Sequence, residues 1–220
     1  MRIGELVGSG RSADVYAIDG ERVLRRYRDG GDAAREAAVM AHLAGHGYPV
    51  PEVFPGAGDG PGDLVMRRLS GPTMLRSLMD GTMTAEEAGA LLARLLRELH
   101  AVPARVGARP GDRILHLDLH PDNVMLTARG PVVIDWRNTD EGPPGLDDAM
   151  SAIILAQVAA SGTAGAGEVL AALLSELDDT KGLAGQLPAA RARRGADAML
   201  SPEEHALLDD AERLIRDLLG

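Results

Sequence analysis

The run His116-Leu117-Asp118-Leu119-His120-Pro121-Asp122-Asn123, followed by Val132-Val133-Ile134-Asp135-Trp136, constrains this chain more than any other feature. It sets an aspartate, an asparagine five residues later, and a second aspartate twelve residues beyond that. A carboxylate can accept a hydrogen bond from a hydroxyl, orient it and take its proton late. A neutral amide oxygen and an anionic carboxylate are hard ligands that suit Mg²⁺. Pro121 stiffens the loop between them. Any fold built around this run must hold the loop and the end of the following strand in a fixed geometry.

The rest of the sequence allows such a fold. With 220 residues, of which 45% are apolar, the chain can bury a substantial core as one domain or two lobes. One Trp, three Tyr and one Phe leave that core to Ala, Leu, Val, Ile and Met. The net charge of −10 argues against a nucleic-acid partner and is compatible with a cationic substrate or simply with a soluble surface. The absence of cysteine excludes disulfides and thiolate chemistry. No apolar signal region opens the chain, and its longest apolar run, near Ala152 to Ala160, is far short of a membrane span. The expectation is a cytoplasmic protein with no membrane partner. Nothing in the sequence sets an oligomeric state.

The first 70 residues read as a small β-rich lobe with one helix. Leu6-Val7 runs into the turn Gly8-Ser9-Gly10, Asp14 to Ile18 returns, Asp19-Gly20 marks a hairpin, and Glu21 to Tyr27 forms a third strand. Asp32 is placed to cap a helix from Ala33 to about Ala44, and Leu64 to Leu69 reads as a further strand. From residue 71 to 220 the chain turns helical. Thr73 to Met79 is a short helix. Thr84, with Glu87 three residues on, opens a longer one to about Val102, whose stripe is Leu91, Leu92, Leu95, Leu96 and Leu99. Short strands are expected at Val124 to Leu126 and Pro131 to Ile134, a loop at Glu141 to Gly145, and helices near 147–160, 165–178, 185–195 and 202–219. The fold class is therefore α+β and bilobal, a small antiparallel sheet with one helix facing a mostly helical lobe. Nucleotides commonly bind in clefts between such lobes.

Three further features bear on chemistry. Gly8-Ser9-Gly10-Arg11-Ser12-Ala13-Asp14-Val15 matches a glycine-rich loop of the form G-x-G-x-x-G-x-V with Ala13 at the third glycine, and its backbone can approach phosphates closely. No Gly-Lys-Ser/Thr follows, so it is not a P-loop. On the third strand, alternation puts Val23 and Arg25 on one face, an apolar roof followed by a cation, with Arg26 opposite. Lys181 is the only lysine, so a phosphate-positioning cation in the first half must be arginine. Glu36 is the only acid between Ala33 and Pro51, and is the candidate partner for that cation. Together with Asp118, Asn123 and Asp135, these follow the order of a kinase-type phosphoryl-transfer site. Met125 is placed to floor an adenine pocket.

A second pattern competes. His116, Asp118, His120 and Asp122 alternate like a transition-metal cluster. Such sites need further ligands downstream, where the only histidine is His205, within an evident helix. His116 and His120 read instead as residues that shape the loop. Asp147 and Asp148 begin a helix, where one can cap it or brace the catalytic loop from behind.

Glycine loop, strand cation, helix glutamate, Pro49-Val50-Pro51, His116-x-Asp118-x-x-x-x-Asn123, Ile134-Asp135-Trp136 and Leu146-Asp147-x-Ala149 occur in the order of the aminoglycoside phosphotransferase family, and the chain resembles that family over essentially its whole length. The resemblance implies a protein-kinase-like fold and an ATP-dependent (or GTP-dependent), Mg²⁺-dependent transfer of the γ-phosphoryl to a hydroxyl of a small molecule, aminoglycoside-like or another amino alcohol. It implies Asp118 as catalytic base and Asn123 and Asp135 as Mg²⁺ ligands. Gly8, Ser9, Gly10, Arg11 and Val15 would cover the nucleotide, with Val23, Met125 and Ile134 around the adenine. Arg25 and Glu36 would form the phosphate-positioning pair, Met66, Arg67, Arg68 and Leu69 the hinge, and Asp147 the brace. Arg25 departs from the family's usual lysine, and the chain is short for the family, so its substrate-binding helices are expected to be trimmed. The alternative is an idle nucleotide-binding module. A protein kinase is disfavoured because only Trp136 to Gly145 separates the metal aspartate from the next helix. Asp140, Glu141, Glu203 and Glu204 are candidate contacts for a cationic ligand, although surface charge is the favoured reading of them.

Overall fold

A computed structural model describes residues 3–10, 12–28, 33–107 and 109–220. The expected cap Asp32 and the loop residue Arg11 lie outside them. The chain divides into two compact units, one of 1–71 with 125–137, the other of 72–124 with 138–220. The first thus takes in a hairpin that a single cut near residue 70 leaves with the second.

The first unit is a four-stranded antiparallel sheet in the order β1-β2-β3-β4, with β1 at Leu6–Ser9, β2 at Ala13–Ala17, β3 at Arg22–Tyr27 and β4 at Asp63–Arg67. The β2–β3 hairpin turns on Asp19, whose Oδ1 accepts the Glu21 and Arg22 amides at 2.9 and 2.8 Å. Helix α1, Ala33–Gly45, buries Glu36, Val39, Met40 and Leu43 along one stripe. It ends in a Schellman turn: Gly47, at φ +79°, donates to Ala44, and Tyr48 donates to Leu43. β6 (Val124–Thr127) and β7 (Gly130–Val133) form a two-stranded sheet.

The second unit is mostly helical. Thr73 caps α2 (Met74–Met79), and the capping box of Thr84 and Glu87 opens α3 (Ala85–His100). The buried stripe of α3 is Ala88, Gly89, Leu92, Ala93, Leu95, Leu96 and Leu99; Leu91 falls at its margin. Helix α4, Pro144–Ala160, is buried without interruption from Asp147 to Gln157 and forms the unit's central rod. Around it stand α5 (Ala166–Glu176), α6 (Thr180–Gly195), α7 (Pro202–Ala206) and α8 (Leu208–Leu219).

Three expectations need correction. The loop at Glu141 to Gly145 holds the end of a strand, β8 (Asp140–Gly142), paired antiparallel with β5 (Arg113–Leu115), and α4 begins at Pro144 rather than Asp147. The helix expected at 185–195 starts at Thr180, because Asp179 caps it through the Gly182 amide at 2.8 Å. Gly182, Gly185 and Pro188 hid that start, being poor helix formers. The helix at 202–219 is two, broken at Leu207.

A Cβ added to Gly89 would lie 2.6 Å from the Leu173 backbone nitrogen, so α3 and α5 touch where glycine leaves room. Alanine gains about 1 kcal/mol of helix propensity there, but overpacking costs roughly 1–3 kcal/mol. Gly89→Ala is expected to destabilise the protein by up to about 2 kcal/mol, read as a lower urea midpoint.

Candidate active site

In the second unit β5 delivers Leu115 to His116, and the chain then bends sharply. Leu117 adopts φ +64°, a conformation that side chains other than glycine rarely hold. The bend is pinned by Asp147 from α4. Its Oδ2 accepts the His116 amide at 2.9 Å, and its Oδ1 accepts the Leu117 amide at 2.7 Å. His100, from the end of α3, places Nε2 3.2 Å from the same carboxylate. Burial pushes the Asp147 carboxyl up, but His100 and the loop amides outweigh it and hold the group below its ordinary range. His116 is fully buried, and its Nδ1 accepts the Asp118 amide at 3.2 Å. That ring is a structural element of the loop.

Asp118 emerges partly exposed from this brace. Asn138 Nδ2 lies 3.4 Å from its Oδ2, and His120 Nε2 lies 3.9 Å from its Oδ1. Burial holds His120 below its ordinary value despite the neighbouring carboxylate, so the ring is neutral at pH 7. His120 Nδ1 caps the 3₁₀ turn Pro121–Asn123 through the Asp122 amide. Asn123 Nδ2 donates to the Asp118 carbonyl at 2.8 Å, which leaves Oδ1 as its ligand atom. Among the described residues no group of three or more His, Cys, Asp or Glu is placed to hold a metal ion. The alternating His/Asp run spends its rings on its own backbone.

In the first unit the strand register puts Gly8, Val15, Val23, Arg25 and Met66 on one face. Val15 stands opposite Arg25, and Val23 opposite Met66. Arg25 is buried among acids: Nη1 donates to Glu36 at 3.1 Å and Nη2 donates to Asp135. Burial works against its charge, but Glu36 and Asp135 more than offset this and raise its pKa further. Burial also pushes Glu36 up, against Arg25, while the Tyr27 hydroxyl donates to it. Asp135 sits at φ +64°; with Leu117 it makes up the non-glycine residues of positive φ among those described. Next to it Trp136 is buried, donating Nε1–H to Val133 at 3.0 Å and stacking edge-on against Tyr48.

Gly8 and Ser9 close β1, and Gly10 donates to Ala13 at 2.9 Å to form the turn. The Ser9 hydroxyl is tied to Asp14 and Arg28. Arg67 and Arg68 donate their amides to the Glu52 and Glu21 carbonyls, at 2.8 and 2.6 Å. Two of the hinge amides are therefore committed within the unit. Met125 and Ile134, both half-buried, belong to the β6–β7 segment of this unit. Asp118 and Asn123 belong to the second unit, Asp135 to the first.

Two of the four acids named as candidates for a cationic ligand are held by backbone amides. Glu141 accepts the amides of Arg105, Val106 and Gly107, and Glu204 closes the capping box of α7. Glu203 lies in that helix's first turn, and Asp140 lies 3.4 Å from Arg193. Sequence reasoning missed His100, Asn138, Arg193 and Arg194. His100 carried one signal, a lone histidine ending an apolar helical stripe.

Two units of this composition, with a braced Asp118 loop and an Asp135 turn, define a protein-kinase-like α+β fold. Solved structures share it: aminoglycoside phosphotransferase APH(4)-Ia in a ternary complex with ADP and hygromycin B superposes with a TM-score of 0.66 at 14% identity, over 99% of this chain and 95% of that one. A family model described as the phosphotransferase enzyme family matches residues 4–114 and 108–185, and the chain belongs to that family, the aminoglycoside phosphotransferase type. Streptomycin 6-kinase of Streptomyces griseus is 32% identical over 134 residues, 59% of this chain and 38% of that protein. Hydroxyurea phosphotransferase of Kitasatospora aureofaciens is 48% identical over 50 residues, 23% of this chain and 14% of that protein. The chain therefore spans less than two fifths of these curated relatives.

Behind the brace, Asp148 is buried with Oδ1 lacking a hydrogen-bond partner among the described residues, and burial pushes its carboxyl up to about 7. An acid raised on folding binds its proton more tightly in the native state, so its destabilising effect is absent below about pH 4 and grows as pH rises to about 7. Asp148→Asn is expected to raise the thermal midpoint at pH 8 and to raise it much less at pH 4.5. Equal gains at both would show that the carboxyl does not titrate there.

Proposed function

We propose that the chain is a magnesium-dependent kinase that transfers the γ-phosphoryl of ATP, or of GTP, to a hydroxyl of a small molecule. The observation that carries this reading is the Asp118, Asn123, Asp135 spacing, together with the local geometry of its members. Asp118 orients the acceptor hydroxyl and takes its proton late, and positioning and electrostatics supply most of the acceleration. The Asn123 Oδ1 and the partly exposed Asp135 carboxylate suit Mg²⁺, which prefers few protein oxygens and keeps its waters. When bound, the ion offsets charge on the phosphates. Arg25, set by Glu36, positions phosphate oxygens, and the Gly8 to Val15 turn covers them. Val23, Met125, Ile134 and the backbone from Met66 to Leu69 serve the adenine, through the Arg68 carbonyl and the Leu69 amide rather than the committed Arg67 and Arg68 amides.

The named relatives act on acceptors as unlike as streptomycin, a large cation, and hydroxyurea, a small neutral molecule. They support the transfer and leave the acceptor open. The rival reading, an idle nucleotide-binding module, rests on Arg25 in place of lysine. The 3.1 Å pairing of Arg25 with Glu36 speaks against it, since the cation is held by its expected carboxylate.

ATP and GTP consumption with and without Mg²⁺, against a panel of small alcohols, tests the proposal. Asp118→Ala and Asp135→Ala are expected to lower kcat by about a thousandfold or more with the thermal midpoint retained. Turnover persisting in a folded Asp118→Ala protein would sink it.

A further inference from the structure

A cavity of about 180 Å³ lies wholly within the second unit, lined by Leu117, Asp118, Asn138, Met150 and the segment Arg193, Arg194, Ala196, Asp197. Asp118 is among its lining residues. On the kinase reading, on which the inference rests, the cavity is where the acceptor sits. Its volume falls below the roughly 300–1,000 Å³ of sites for drug-sized ligands. That suits a small acceptor rather than an oligosaccharide.

The charges on its wall are unequal in availability. Arg194 is nearly buried and committed, with Nε on Gln157 at 2.8 Å and Nη1 3.6 Å from Asp197. The Arg194–Asp197 pair is therefore self-compensating. Asp118 is reserved for the hydroxyl. Arg193 remains, with 42% of its side chain exposed and a 3.4 Å contact to the half-exposed Asp140. An exposed pair of that length is weak and exchanges readily for a better acceptor. A guanidinium in that state favours a planar carboxylate, which it can bind through two parallel hydrogen bonds. A dianionic phosphate fits less well, because Asp118 shares the wall. A polycationic amino sugar meets the Arg193 guanidinium, and neither Glu141 nor Glu204 lines the cavity to offset it.

We infer that the acceptor is a small hydroxylated carboxylate, its carboxylate held by Arg193 and its hydroxyl by Asp118. The test is Mg·ATP consumption with hydroxy acids of three to six carbons, each beside its primary amide, and with a polyamino sugar. At least one acid is expected to be phosphorylated with kcat/KM tenfold or more above its amide. Arg193→Ala should raise KM for that acid about tenfold or more with a smaller change in kcat, and Arg193→Lys should recover part of the loss. Arg193 is exposed in the last turn of α6, so these variants are expected to fold. Equal use of acid and amide, preference for the polyamino sugar, or an unchanged KM in Arg193→Ala would overturn the inference. So would the failure of every acid to stimulate turnover while slow, Asp118-dependent ATP hydrolysis persists, and in that case the kinase reading stands. Absence of any nucleotide binding or hydrolysis would remove both.

Discussion

The second unit turns on one buried carboxylate. Asp147 is fully enclosed on α4 and receives two successive backbone amides, those of His116 and Leu117, with His100 against its outer oxygen. Burying a carboxylate is expensive unless its lone pairs are filled. Here they are, and the return is a loop held in a shape it would not choose. Leu117 sits in the left-handed region, at a cost of roughly 1–3 kcal/mol. Without Asp147 two buried amides would lose their acceptor, each worth about 1–3 kcal/mol. The uninterrupted burial of α4 serves the same end, since a brace must itself be immobile and a helix packed on all sides is.

The first unit is organised by an arginine that faces two acids. A guanidinium is a planar fork, and Arg25 uses its two ends separately, Nη1 for Glu36 and Nη2 for Asp135. A lysine offers one compact ammonium, which would have to sit between the carboxylates to serve both. The replacement of lysine by arginine therefore alters geometry while keeping charge. It also explains why Glu36 tolerates burial. Arg25 opposes the desolvation that raises its pKa, and the Tyr27 hydroxyl fills its remaining oxygen. The left-handed turn at Asp135 and the buried Trp136 beside it keep the second carboxylate at the end of that fork.

Much of this was legible in the sequence because it is local. The capping box of Thr84 and Glu87, the hairpin at Asp19 and the alternation of Val23 and Arg25 each depend on residues within a few positions, and each folds as read. Order along the chain was enough to identify the family. What escaped was set by distant partners. β8 exists because β5 pairs with it, not because Asp140-Glu141-Gly142 favours a strand. The start of α6 is fixed by a cap on Asp179, and it overrides two glycines and a proline. His100 acquires its place only when α3 packs beside α4, and Arg193 and Arg194 reach the cavity only through the fold of α6.

The net charge of −10 illustrates the same distinction between composition and placement. Read globally, it suits a cationic ligand. Read residue by residue, the acids are largely consumed by the chain itself. Glu141 gathers three loop amides, Asp179 and Glu204 serve helix starts, Asp63 forks with Arg26, and Glu36 and Asp147 are buried against their own partners. A carboxylate bonded to backbone amides keeps its charge, but its occupied lone pairs receive an incoming ammonium only at the cost of the bonds it holds. The direct contacts that a ligand makes are with the groups left over. Beside Asp118, Arg193 is the guanidinium with the looser pairing, its side chain 42% exposed and 3.4 Å from Asp140.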